Sequence, residues 1–319
     1  MVSTKRKIVP YSVPLPYTPE DAERIRRTGK LEYVEFVPRP ENETGFYLAD
    51  LSGCPILSWP PELPKFDPRG HPAAGSFIHW KKAQDSKVGI PGNYFSFKGG
   101  GLIPCHSALE HRHLSHFEMN PFVVEIRTQY PEWNSSLYWE YRKMGMRMPK
   151  RALMTIDFLL TLKIPGSASL HYHAVSTKPH EFLQNPAVQK RHKREVDSVT
   201  LWGCTHEVMT QHSVTDMEAI NNCRLFEYMR EVDDIASYRS VAIDMATALL
   251  SDLTTGTCDQ KIGRVSKRFG WTLNEGYRIF AIANFLGYLS LNHEFELLLD
   301  KPLIVGKRMA REVQGAKYE

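Results

Sequence analysis

Hydrophobic and polar positions change rhythm along the chain. The sharpest pattern is Leu153 to Leu162, where Met154, Ile156, Phe158, Leu160 and Leu162 form one apolar face and Asp157 falls on the other, the two-residue period of a strand. A break at Pro165-Gly-Ser-Ala-Ser169 precedes a second expected strand, Leu170 to Lys178. A basic helix from about Ala187 to Ser198 follows, then an apolar stretch from Val199 to Met209. Upstream, Asn93 to Phe97 reads as a strand and Gly99-Gly-Gly101 as a turn, with a helix beginning near Ser107. From about Asp216 the period becomes helical: Val241, Ile243, Ala246, Leu249, Leu250 and Leu253 make one stripe, and shorter helices are expected at about 260–269 and 273–286. Small strands are expected at Tyr288 to Leu291, Phe295 to Leu299 and Pro302 to Val305. Helices closed by a short hairpin form a winged-helix-like α+β module, which serves to bind DNA or to dock protein. The apolar run Tyr277 to Leu286 is unsuited to a major groove and favours packing or docking.

At 319 residues the chain has room for two domains. Seventeen of the 21 prolines lie at or before Pro149, so a turn-rich first half passes into a more regular second half. The expected division is a proline-rich extension over 1–80, to which no chemistry is assigned, a domain over 81–215 and a docking domain over 216–319. With 42% hydrophobic and 24% charged residues the chain can build a packed core. No window holds the ~18 apolar residues of a membrane span, and the first residues lack the apolar core of a leader. A cytoplasmic protein without membrane contact is expected. Five scattered cysteines without a CxxC point to reduced, structural thiols.

The formal charge of +4 is modest but unevenly spread, for Arg147 to Arg194 carries nine Lys or Arg against two acids. Within it, Lys190, Arg191, Lys193 and Arg194 either hold DNA phosphates or form a solvated face.

If the two central strands form a hairpin turning between Ser167 and Ala168, Asp157 and Lys178 oppose each other, with Ser176 on the same face as the lysine. A carboxylate that holds Mg²⁺ beside a lysine that orients water and offsets charge suits phosphodiester hydrolysis. An ordinary cross-strand ion pair is the competing account. Glu110, in Ser107-Ala-Leu-Glu110, is a second candidate carboxylate, and equally the glutamate of a helix capping box. His106, His111, His113 and His116 crowd one segment, without the ligand spacing of a zinc site. His171 and His173 alternate along a strand and read as packed or solvated.

Taken in order, Ser107-Ala-Leu-Glu110, Val124-Glu-Ile-Arg-Thr-Gln-Tyr-Pro131, Met154-Thr-Ile-Asp-Phe158 and Val175-Ser-Thr-Lys-Pro179 resemble the TnsA-type endonuclease subunits of heteromeric cut-and-paste transposases. The likeness covers about residues 93 to 215, with a weaker one over 216 to 305. It implies an α/β fold, a restriction-endonuclease-like mixed sheet flanked by helices, in which Glu110, Asp157 and Lys178 form a Mg²⁺ site that Mn²⁺ can also fill. It implies nicking of the 5′ ends of a mobile element in a prokaryotic, nucleoid-associated setting. The implied partners are the element's DNA ends, a DDE-type transposase subunit and an ATPase regulator. Where that family carries Gln or Glu two residues before the lysine, this chain has Ser176; Ser176 itself, the Thr177 carbonyl or a water would then complete the ligand set. Two other classes remain open: a stand-alone nuclease of the same fold, and a non-catalytic DNA-binding or transposase-adaptor protein.

Overall fold

A computed structural model describes residues 37–51, 55–86, 89–132, 135–149, 152–252, 254–293 and 296–306. They divide into two units, one of residues 39–51 with 61–214, the other of residues 37–38, 55–60 and 215–306.

The first unit is built on a four-stranded mixed sheet in the order β3-β4-β5-β6: Val123–Pro131, Thr155–Leu162, His171–Thr177 and Thr205–Met209. The first three strands are antiparallel neighbours, and β6 runs parallel to β5. Every residue of β3 and β4 is buried, as expected of strands covered on both faces. Helix α1, Ala108–Met119, covers one face, where Phe117 meets Phe158 edge to face at 5.1 Å. Helix α3, Pro186–Thr200, covers the other, where Val199 joins Ile156, Leu159, Tyr130 and Ala174 in the core. The alternation of β5 confirms the two faces: Thr177 reaches His113 of α1, and its neighbour Ser176 reaches Glu195 of α3. A hairpin of β1, Gly92–Ser96, and β2, Gly101–Cys105, precedes α1. Its turn needs Gly100, at φ 71°, where a Cβ would lie 2.7 Å from Gly75 Cα. Buried Lys98 donates to the carbonyls of Phe117 and Asn120 and so ties the hairpin to the C-terminal end of α1. A short helix, α2, spans Ser135–Lys143.

Three expectations are corrected. First, Phe158 pairs with Val175 and Leu160 with His173, two residues out of the expected register, so the turn centre falls between Gly166 and Ser167. Continuing that register puts Asp157 opposite Ser176, with Lys178 on the diagonal. The even-numbered face of β4 is also discontinuous. Ile156 shares a cluster with Leu159 on the α3 side, whereas Phe158 packs on the α1 side. Alternation resets at Asp157, across from Gln129, whose φ of 51° is left-handed.

Second, residues 61–80 are not part of a separate extension. Asp67 accepts from Arg127 and from the Tyr130 hydroxyl, both on β3, and the backbone of Trp80 donates to Gln129. Residues 1–36 lie outside the described residues.

Third, the small strands of the second unit shrink to β7, Ser290–Leu291, and β8, Val305–Gly306, paired antiparallel. Phe295 lies outside the described residues, and 296–299 pair with no strand. The Leu297 amide goes instead to Asn221 Oδ1 and its carbonyl to Arg224, both on α4, Asp216–Tyr228. The unit's other helices are α5, Arg239–Ser251, α6, Cys258–Phe269, and α7, Leu273–Phe285. Capping boxes start α6 at Thr257–Gln260 and α7 at Thr272–Glu275. Helix α7 is the buried element, with Gly276, Tyr277 and Ile279 to Phe285 all enclosed. At Gly276 a Cβ would lie 1.9 Å from Ser266 Oγ, so the close approach of α6 and α7 requires glycine.

Candidate active site

Glu110, Asp157 and Lys178 come from three elements of the first unit. Ser107 caps α1 by accepting from the Glu110 amide at 3.2 Å. The carboxylate does not return to the N-cap amide as a capping box would; Oε2 accepts from His106 N, one residue earlier, at 2.8 Å, and Oε1 from Ser107 Oγ at 3.2 Å. That shift turns the carboxylate toward β3, where Gln129 Nε2 lies 3.4 Å from Oε2. Gln129 is held in turn by Thr155, whose hydroxyl donates to its Oε1 at 2.9 Å.

Asp157 follows two residues after Thr155 on β4. Its Oδ2 accepts from the Thr177 amide at 2.8 Å and lies 3.6 Å from Lys178 Nζ, while that ammonium donates to the Thr177 carbonyl at 2.8 Å. A positive charge thus already rests between the Asp157 carboxylate and the Thr177 carbonyl.

Glu110 and Asp157 are 6% and 7% exposed. Burial, and then the charge of Asp157, push the Glu110 carboxyl up to about 8. Lys178 and the hydrogen bonds from His106 and Ser107 offset this only in part. Two buried carboxylates that repel each other form an arrangement that a divalent cation relieves. Glu110, Asp157 and the Thr177 carbonyl are oxygen donors suited to Mg²⁺ or Mn²⁺. Among the described residues no group of three or more His, Cys, Asp and Glu side chains is arranged to hold a metal ion; the remaining ligands of any cation here would be carbonyls or water.

Ser176 is placed elsewhere. Its hydroxyl donates to Glu195 Oε2 on α3, beside His206 Nε2 at 3.3 Å. Burial raises the Glu195 carboxyl, but the hydrogen bond from His206, the Arg191 charge and the bond from Ser176 win and hold it down to about 2. The sequence pattern put Ser176 beside Asp157; the structure commits its hydroxyl to this buried network.

The four basic residues of α3 divide. Arg191 is half-buried, donating to Glu195 Oε1 at 2.7 Å and to the Thr155 carbonyl at 3.0 Å, and is electrostatically coupled to Asp157. Lys190, Lys193 and Arg194 are exposed. Lys193 lies 3.9 Å from Glu43, and Arg194 contacts the Met154 sulfur. The histidines of α1 also separate. His113 is buried between Thr177 Oγ1 and the Thr210 carbonyl, and burial pushes it down to about 3. His111 stacks on Tyr94. His171 and His173 share Thr205 Oγ1, and His173 also meets Glu207.

Sequence reasoning missed Gln129, Thr155, Cys105, Lys81 and His106 as neighbours of the carboxylates. Burial first, then Glu110 and Asp157, push the Cys105 thiol well above its ordinary range. For Gln129 a signal existed, since it lies inside the Glu-Ile-Arg-Thr-Gln-Tyr-Pro segment that carried the family likeness. No protein-family model matches the chain, and no curated protein is found to be similar to it.

Proposed function

We propose that the first unit is a Mg²⁺-dependent DNA endonuclease that acts as the 5′-end-nicking subunit of a cut-and-paste transposase, with Glu110, Asp157 and Lys178 as its active-site residues. The observation that carries this reading is the undercompensated Glu110–Asp157 pair, placed beside a lysine ammonium and an accepting carbonyl. A restriction-endonuclease-like assignment for the sheet, and a winged-helix-like one for the second unit, belong to the same proposal. So do the partners: element ends, a DDE-type transposase and an ATPase regulator docking on the second unit.

Glu110, Asp157 and the Thr177 carbonyl would hold the cation. When bound it supplies Lewis-acid polarisation of a phosphoryl oxygen. Glu110 would have to be ionised to hold the cation, its proton passing to solvent. Lys178, anchored on Asp157 and Thr177, orients the attacking water and offsets the charge that develops on the phosphate. Thr155 and Gln129 fix the position of Glu110. Arg191, held by Glu195 and the Thr155 carbonyl, adds positive charge beside Asp157 for an incoming phosphate.

One observation favours a second reading, a non-catalytic DNA-binding adaptor: Ser176 gives its hydroxyl to Glu195, leaving one fewer oxygen for a cation. Nicking of element-end DNA, assayed with the partner transposase and Mg²⁺, decides between them. The nuclease reading expects Asp157→Ala to abolish cleavage and weaken Mn²⁺ binding, and Lys178→Ala to abolish cleavage while retaining Mn²⁺. Wild-type cleavage by Asp157→Ala would overturn it.

A further inference from the structure

The segment that leads into the first hairpin carries a lysine which the functional reading above does not use. Phe77 is fixed in the core beside Tyr130. His79 Nδ1 lies 3.0 Å from the Thr128 carbonyl and 3.1 Å from the Thr128 hydroxyl. The Trp80 amide donates to the Gln129 carbonyl at 3.3 Å. Two residues on, the Lys82 carbonyl lies 3.1 Å from His106 Nε2, and the Lys82 amide donates to Asp85 Oδ2 at 2.8 Å. Lys81 is therefore bracketed. The residue before it is bonded to Gln129 and the residue after it to His106, and Gln129 and His106 both bond the Glu110 carboxylate.

Its surroundings fit this placement. Lys81 is half-buried, and desolvation, the largest influence, lowers its ammonium from the ordinary range. Arg191 repels it, while Asp157, Asp85 and Glu110 attract it. Lys81, Lys178 and Arg191 thus approach Glu110 and Asp157 from three separate elements. Arg191 is already shared with Glu195, and Lys178 rests on Asp157 and the Thr177 carbonyl. Lys81 stands in no ion pair within 4 Å among the described residues. An ammonium kept near two carboxylates but not in contact with either is disposed to meet an anion arriving at the site.

We propose that Lys81 is a substrate-binding residue of this site, its ammonium contacting a phosphate oxygen of the DNA strand that lies against Lys178 and Arg191. This rests on the endonuclease reading and deepens it, since residues 61–81 then supply part of the substrate surface as well as part of the fold.

The test uses the full chain, a 30-base-pair duplex oligonucleotide with Ca²⁺ in place of Mg²⁺, and, separately, Mn²⁺ titration without DNA. One lost phosphate contact makes the negative slope of log binding constant against log salt shallower by about 0.9. Lys81→Gln is expected to show that loss, Lys81→Arg to restore the wild-type slope, and both to keep wild-type Mn²⁺ affinity within about threefold and an unchanged melting temperature. A wild-type slope in Lys81→Gln, or a loss of DNA binding that Lys81→Arg does not rescue, would overturn the role of Lys81 and leave the endonuclease reading in place. Absence of Mn²⁺ binding by the wild type, or equal binding by Asp157→Ala, would remove the endonuclease reading and Lys81 with it.

Discussion

The first unit buries two pairs of carboxylates against the same sheet and treats them differently. Around Arg127 every carboxylate oxygen is hydrogen-bonded. The guanidinium, 1% exposed, meets Asp67 at 2.6 Å and Glu125 at 2.9 Å. The remaining acceptor sites are taken by the hydroxyls of Tyr130 and Thr161 and by the amides of Arg69, His71 and Ala74. Glu110 and Asp157 also share one counterion, but more loosely: among the described residues the only ammonium in ion-pair range stands 3.6 Å from one of the two, and the other carboxyl is pushed up to about 8. A satisfied buried network specifies a fold. A buried pair with one carboxyl displaced far from its ordinary range is a candidate for a functional site.

The largest expected effect falls on the pair around Arg127. Arg127→Met leaves Asp67 and Glu125 buried without a counterion and should lower unfolding stability by about 3–5 kcal/mol in a urea titration. A change under about 1 kcal/mol would break the contrast.

Glu110 should behave in the opposite sense. Its folded-state value of about 8 lies above the ordinary 4.5, so the metal-free fold holds this proton more tightly than the unfolded chain does. That contribution is fully present below about 4.5 and is lost as pH rises toward 8. Thermal melts of metal-free wild type should therefore decline through this window. Glu110→Gln, which keeps an oxygen acceptor for His106, should flatten the decline. A parallel pH profile in the variant would show that Glu110 is not the strained group.

Ser176→Ala sharpens the comparison by asking to which kind of network Ser176 belongs. Loss of one hydrogen bond to a charged acceptor should cost about 2 kcal/mol of stability. Mn²⁺ affinity should stay within about twofold of wild type. A tenfold loss of Mn²⁺ affinity would return Ser176 to the ligand set.

Much of this was legible in the sequence, and the failures have definite causes. Helices α1, α3, α6 and α7 follow from apolar spacing and from Ser/Thr-x-x-Glu/Gln or Asn-Pro starts, because those signals are local. Strand β4 was visible as an apolar run, but its face assignment was not. Both faces are buried, and the left-handed Gln129 opposite Asp157 resets the alternation. The β4–β5 register was misjudged by two residues, since the Pro165 to Ser169 break contains several turn solutions; Lys178 still reaches Asp157 because a lysine spans the diagonal. Residues 61–80 looked like punctuation. Their role depends on Asp67 meeting Arg127 and Trp80 meeting Gln129, contacts about 50–60 residues apart with no local signature. Glu195 was hidden inside a basic helix, where it and Asp197 read as charge compensation.

The central claim, that Glu110 and Asp157 together form a divalent-cation site, is tested most directly by calorimetric titration of Mn²⁺ into the full chain at pH 7, in two buffers of different ionisation enthalpy. A carboxyl held near 8 must give up its proton when a cation binds beside it. The account predicts saturable binding with release of about one proton per Mn²⁺, loss of that proton in Glu110→Gln and loss of binding in Asp157→Ala. Absence of binding, or binding whose proton release and affinity are the same in all three proteins, would contradict it.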